Sequence, residues 1–199
     1  GFTAPKINWI KNNELESFNK IFKILLPKDY LRYYLTGELY SEMSDASGTL
    51  WLDIKKRKWS KHLISISDMK MEQMPKLVEG NQVAGQMRAD LTSEFGFPKD
   101  VKIVGGAGDN AAAACGVGAI NEGDGFVSLG TSGVLLLSRD RCNPFTDAAV
   151  HTFCHAIPQK WYQMGVILSA TDSINWLSKI SGKSAVELDQ LLPDQPSGP

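Results

Sequence analysis

No apolar run in this sequence approaches the roughly 18–20 residues that a membrane span requires, so no membrane partner is expected. The opening Gly1-Phe2-Thr3-Ala4-Pro5 has no signal-peptide character. Charge of one sign is also missing. Lys and Arg number 21 against 22 Asp and Glu, for a net charge of -1. Nucleic acid is therefore not an expected partner, since a phosphate backbone is gripped by clustered cations. The one basic cluster, Lys55-Lys56-Arg57-Lys58, lies between Asp53 and Trp59 and reads as a solvated turn or helix face. Cysteine is scarce: Cys115, Cys142 and Cys154 are an odd number without a C-x-x-C pair. That pattern argues for reduced thiols in a cytoplasmic protein over a disulfide frame. Repeats of fixed period and low-complexity tracts are absent. So is an initiator methionine, and the chain stops in Asp194-Gln195-Pro196-Ser197-Gly198-Pro199. Both ends have the character of cuts, and the chain is expected to be part of something longer.

Apolar residues make up 43% of the chain and charged residues 22%, the balance of a globular protein with a buried core. A length of 199 residues suits one large domain or two small ones. Ile7, Ile10, Leu15, Phe18, Ile21, Phe22, Leu25 and Leu26 recur at helical spacing and predict one or two amphipathic helices over residues 6–26, closed by Pro27. Asp29 is placed as the cap of a short helix ending at Gly37. Residues 42–49 read as a loop that holds Asp45 and Ser47, 60–71 as helix, 74–82 as connection and 86–95 as helix. The character changes near residues 98–104, the best single cut. A strand is expected over 101–104, a small-residue helix over 110–118, strands over 126–129 and 134–138, a hairpin over 150–165, and a helix over 167–180 closed by Gly182. The five tryptophans, Cys115 and Cys154 read as core. His151 and His155 alternate along a strand without a third ligand and read as structural, so no metal site is assigned.

The segment KIVGGAGDNAAAACGVG, residues 102–118, raises the functional question. Gly106-x-Gly108-x-x-Ala111 matches a relaxed dinucleotide fingerprint between a strand and a helix. That fingerprint also requires a second parallel strand ending in an acid about 20 residues on. Here Asn121 to Gly125 form a turn and a hairpin follows, which disfavours the dinucleotide. Asp109 stands among glycines at a strand-to-helix junction, where the helix dipole favours the ionised carboxylate. It reads either as a proton acceptor or as a plain helix cap. Gly130-Thr131-Ser132-Gly133 reads either as a phosphate wrap of amides and hydroxyls or as an ordinary hairpin turn. An acid at a helix start, then a Gly/Ser/Thr hairpin 21 residues on (109 to 130), suits a phosphotransferase.

At these residues the chain resembles the FGGY family of carbohydrate kinases, through Gly105-Gly106-Ala107-Gly108-Asp109-Asn110 and Ser128-Leu129-Gly130-Thr131-Ser132-Gly133. Four further stretches resemble its members that act on D-xylulose: Gly1 to Lys6, Leu26 to Leu31, Met43 to Thr49 and Val150 to Ala156. The resemblance reaches to about Gly182 and implies an α/β, actin-like ATPase (ribonuclease-H-like) fold, present here in part. It implies that residues 1–102 are the end of a sugar-binding first domain and 103–199 the start of an ATP-binding second domain. It also implies phosphorylation of D-xylulose to D-xylulose 5-phosphate by the full-length kinase, with ATP and Mg2+. Asp109 matches the general base, Asn110 a sugar contact, and Gly130, Thr131, Ser132 and Gly133 the hairpin facing the transferred phosphate. Sugar and ATP are then the small-molecule partners, and a homodimer is among the assemblies allowed. The alternatives are another FGGY kinase, for gluconate, ribulose or glycerol, or a non-catalytic fragment.

Overall fold

The computed structural model describes residues 2–192. Gly1 and residues 193–199, with the terminal stretch from Asp194, lie outside the described residues. The chain opens with α1 (Thr3–Asn13), α2 (Leu15–Asn19) and α3 (Pro27–Thr36). Pro27 opens a helix instead of closing one, because at the first helical position its missing N–H costs nothing and its φ is already helical. α3 ends at Gly37 as expected. β1 (Tyr40–Glu42) then runs directly into α4 (Met43–Ser47). The loop expected there is a helix because Glu42 caps it, accepting the amide hydrogens of Ser44 at 2.7 Å and Asp45 at 2.9 Å.

β2 (Leu52–Asp53) and β3 (Lys58–Trp59) form a small antiparallel ribbon around the basic cluster, followed by α5 (Lys61–Ile66). β4 (Lys76–Val78) pairs in parallel with β1. β5 (Val83–Gln86) is followed by α6 (Ala89–Glu94), and β6 (Lys102–Val104) pairs back on β5 in antiparallel sense. The helix expected from Gln86 starts only at Ala89, because Gln86 is held in the ladder opposite Lys102.

Next come α7 (Asp109–Gly116), β7 (Gly125–Leu129), β8 (Gly133–Arg139), β9 (His151–Cys154), β10 (Trp161–Ile167), α8 (Thr171–Ser181) and α9 (Ala185–Asp189). The four strands make one antiparallel sheet in the order β7-β8-β10-β9. The last long helix starts at Thr171 and not at Ile167, which still pairs with Gly133. β6 and β7 share no sheet, so Gly106 and Gly108 do not belong to a dinucleotide-binding βαβ unit.

α7 is a run of alanines, the best helix formers, and its small face lets it lie close to the sheet. Ala111 and Ala114 are fully buried against Leu136, Tyr162 and Met164, with Phe126 and Val134 packed alongside. Burial of one such leucine, Leu136, is worth about 1.5–3 kcal/mol. Cys115 follows Ala114 around the helix, turns away from the sheet and is exposed, against expectation. A second cluster joins Ile7, Trp51, Ile64, Met69 and Met74. A third joins Met43, Ala46 and Leu52 to Cys154 and Trp161, so the early and late parts of the chain share a core. Trp9 and Trp176 are surface residues, at 57% and 62% exposure. Trp9 lies on a helix that buries only Ile7, and α8 buries none of its residues. Among the described residues, no helix is long and apolar enough to cross a membrane.

Candidate functional site

Gly108 is the N-cap of α7 and Asp109 its first helical residue. Of the two local readings of Asp109, the cap position therefore falls to its neighbour, which has no side chain to cap with. The Asp109 side chain is exposed, and its Oδ1 accepts the backbone N–H of Asn110 at 2.7 Å and the Asn110 side-chain amide at 3.1 Å.

Of the glycines before it, Gly105 serves close backbone approach and Gly106 a left-handed backbone, φ 78°. A Cβ on Gly105 would lie 2.6 Å from the carbonyl oxygen of Glu79. Gly105 N–H donates to Gln82 O and Gly106 N–H to Gly80 O, both at 2.9 Å. Arg32, buried on α3, donates to Gly105 O and to Tyr40 O, and pairs with the fully buried Asp29.

The start of α4 lies against this junction. Ser44 Oγ accepts the Gly108 N–H at 2.9 Å and donates to Glu42 at 2.8–2.9 Å. Lys28 Nζ bridges the acids, at 2.8 Å from Asp29, 3.1 Å from Glu42 and 3.3 Å from Asp45. Burial by itself would lower the Lys28 pKa. Glu42, Asp29 and Asp45 together outweigh it and leave it above the usual lysine value. Burial raises Asp45, Lys28 opposes the rise, and the charges of Asp29 and Asp109 add to it. Tyr162, beneath α7, is pushed up by burial and further by Asp109, Glu42 and Asp45.

Gly130, Thr131 and Ser132 form the β7–β8 loop, and Gly133 is the first residue of β8. The loop residues are exposed and Gly133 is buried. The loop's carbonyls are engaged by the start of α8. Ala170 N–H donates to Thr131 O at 2.7 Å, while Thr171 donates to Gly130 O through its hydroxyl at 2.7 Å and its amide at 3.2 Å. Ser132 Oγ donates to Leu168 O at 2.9 Å. Gly130 has no left-handed backbone, and a Cβ there would meet only Ser132 O at 3.7 Å. α7 and the hairpin are joined through the packing of Ala111 and Ala114 on Leu136. Among the described residues, no hydrogen bond links Asp109 or Asn110 to residues 130–133.

His151 stacks on Phe153, and His155 is fully buried with Nδ1 accepting the Ile157 N–H, so both have packing roles. Among the described residues, no three His, Cys, Asp or Glu side chains are placed to hold a metal ion.

Residues 1–116 match the N-terminal domain of the FGGY family of carbohydrate kinases. The chain belongs to that family. The xylulose kinase of Escherichia coli (strain K12) is 46% identical over 186 residues, covering 94% of this chain and 38% of that protein. A xyloylose kinase from Brucella ovis superposes with a TM-score of 0.91 at 50% identity, over 100% of this chain and 41% of the other. A gluconate kinase from Lactobacillus acidophilus superposes at 0.86 with 25% identity, over 96% of this chain and 40% of the other. The fold is thus the actin-like ATPase fold of the FGGY kinases, carried in part. The chain spans about two fifths of the length of these FGGY relatives. Lys28, Arg32, Glu42 and Ser44 escape sequence reasoning as site residues. Only the Asp29-x-x-Arg32 spacing carries a local signal, that of an ion pair on one helix face.

Proposed function

We propose that the full-length protein containing this chain transfers the terminal phosphate of ATP to D-xylulose, giving D-xylulose 5-phosphate. Asp109 accepts the proton of the attacking sugar hydroxyl, and Asn110 contacts the sugar beside it. Gly130, Thr131, Ser132 and Gly133 face the transferred phosphate, and Mg2+ arrives with the nucleotide. Phosphoryl transfer needs positioning and charge stabilisation more than covalent help, and a backbone-and-hydroxyl turn supplies both. The observation that carries the reading is Asp109 itself. It is an exposed carboxylate at a helix start, bonded only within its own turn, on a frame whose surrounding polar groups are buried. Gly130 adds support, because neither its backbone nor its surroundings require a glycine for folding. Close approach of a ligand would.

The division at residues 102/103, into sugar-binding and ATP-binding portions, belongs to the same proposal. The four-stranded sheet, drawn wholly from residues from Gly125 onward, supports a later portion, while the pairing of β6 on β5 and the family match to residue 116 tie residues 103–116 to the earlier one. Three free thiols favour the cytoplasm as the compartment. The test is Asp109→Asn in the full-length kinase. Turnover is expected to fall about 10²- to 10⁴-fold with sugar binding largely retained. Near-normal turnover would remove Asp109 from the reaction. The likeness to a gluconate kinase favours one second reading, a different sugar acid or polyol as acceptor. A panel of D-xylulose, D-ribulose, gluconate and glycerol separates the two by kcat/KM.

A further inference from the structure

We infer that Ser44 is a positioning residue for Asp109, held in that task by Glu42. The inference rests on the reading of Asp109 as the base. A helix that starts on a glycine cap has no N-cap side chain to fix the residue before its first turn. Here the fixing comes from α4, 64 residues earlier in the chain. The single proton of the Ser44 hydroxyl is committed to Glu42, 2.8–2.9 Å away, which turns its lone pairs to the Gly108 N–H at 2.9 Å. Glu42 cannot swing aside. It is fully buried and also receives the amides of Ser44 and Asp45 and the ammonium of Lys28. Gly108 is the residue directly before Asp109. Arg32 holds the same loop three residues back, at Gly105 O. The base is therefore carried on a turn held at one end by the buried Arg32 guanidinium and at the other by the buried Ser44 hydroxyl, itself fixed by Glu42. Ser44 is the group of that clamp nearest to the carboxylate along the backbone. Displacement of a reacting group by about 1 Å costs on the order of 10²-fold in rate.

The test is a double-mutant cycle in the full-length kinase, with Ser44→Ala, Ser44→Thr, Asp109→Asn and the pair Ser44→Ala/Asp109→Asn. It reads kcat, sugar KM and Tm. Ser44→Ala is expected to lower kcat about 10- to 100-fold with little change in KM, and Ser44→Thr, which keeps the hydroxyl, to recover most of it. In the Asp109→Asn background the same change should leave the residual turnover nearly unaltered, because the group being positioned is gone. If Ser44→Ala keeps full kcat, or lowers turnover equally in both backgrounds, the inference is overturned while Asp109 remains the base. If Asp109→Asn alone leaves turnover intact, the base reading falls, and this inference with it. Should Ser44→Ala not fold, the isosteric Glu42→Gln takes its place in the cycle with the same expected coupling and the same overturning results.

Discussion

The start of α7 and the β7–β8 turn are held in opposite ways. At the start of α7 the supports are buried side chains from elsewhere: Arg32 from α3, Glu42 at the end of β1, and Ser44 from α4, with Lys28 bridging the acids. At the turn the supports also come from elsewhere, the start of α8, but they are mostly backbone groups with two hydroxyls and no charge, and the loop residues themselves lie in the open. A carboxylate that takes one proton from one atom gains from a fixed origin. A loop that wraps a phosphate gains from amides and hydroxyls that stay within reach of solvent and ligand. On the proposed reading the difference says where substitutions act: loss of the buried Arg32 or crowding at Gly105 should be felt in folding, and changes at the turn in phosphate binding.

The largest effect on that contrast is expected from Arg32→Ala. It removes the donors to Gly105 and Tyr40 and strips one partner from the buried Asp29. Breaking a buried pair costs on the order of 3 kcal/mol, visible as a lower urea midpoint. A midpoint within error of the parent would mean that the junction does not depend on this clamp. Gly105→Ala comes next, since its Cβ would press on the Glu79 carbonyl at 2.6 Å. Overpacking of this kind costs about 1–3 kcal/mol, and thermal unfolding measures it.

Gly130→Ala is the matching change at the turn. It is expected to leave stability within about 0.5 kcal/mol while raising the KM for ATP or lowering turnover in the full-length kinase. A stability loss as large as that of Gly105→Ala would erase the contrast. The smallest effect concerns pH. Because the folded-state pKa of Lys28 lies above its ordinary value of 10.5, its contribution is complete below that value. The contribution is lost as pH rises through the higher folded value. Denaturation midpoints followed above about pH 10.5 should decline, and Lys28→Met should flatten that part of the profile.

What could be read from sequence follows the range of the forces involved. The helix beginning at Asp109, the β7–β8 hairpin and the end of α3 at Gly37 are written in neighbouring residues, and each lies where the local pattern puts it. α4 was hidden because its Ser/Asp/Gly-rich composition resembles a loop, while its start is paid for by a buried glutamate whose burial no local pattern records. The bonds from Arg32 to Gly105 and from Ser44 to Gly108 span 73 and 64 residues, far beyond any periodicity. Trp9 and Trp176 lie outside the cores formed by the described residues, at 57% and 62% exposure, in a chain that spans about two fifths of its relatives.

One feature of the turn reaches further along the chain. Its carbonyls and its serine are tied to Leu168, Ala170 and Thr171 at the very tip of α8, a helix that buries none of its own side chains. The placement of Gly130 and Thr131 is thereby tied, bond by bond, to that of the helix that begins at Thr171.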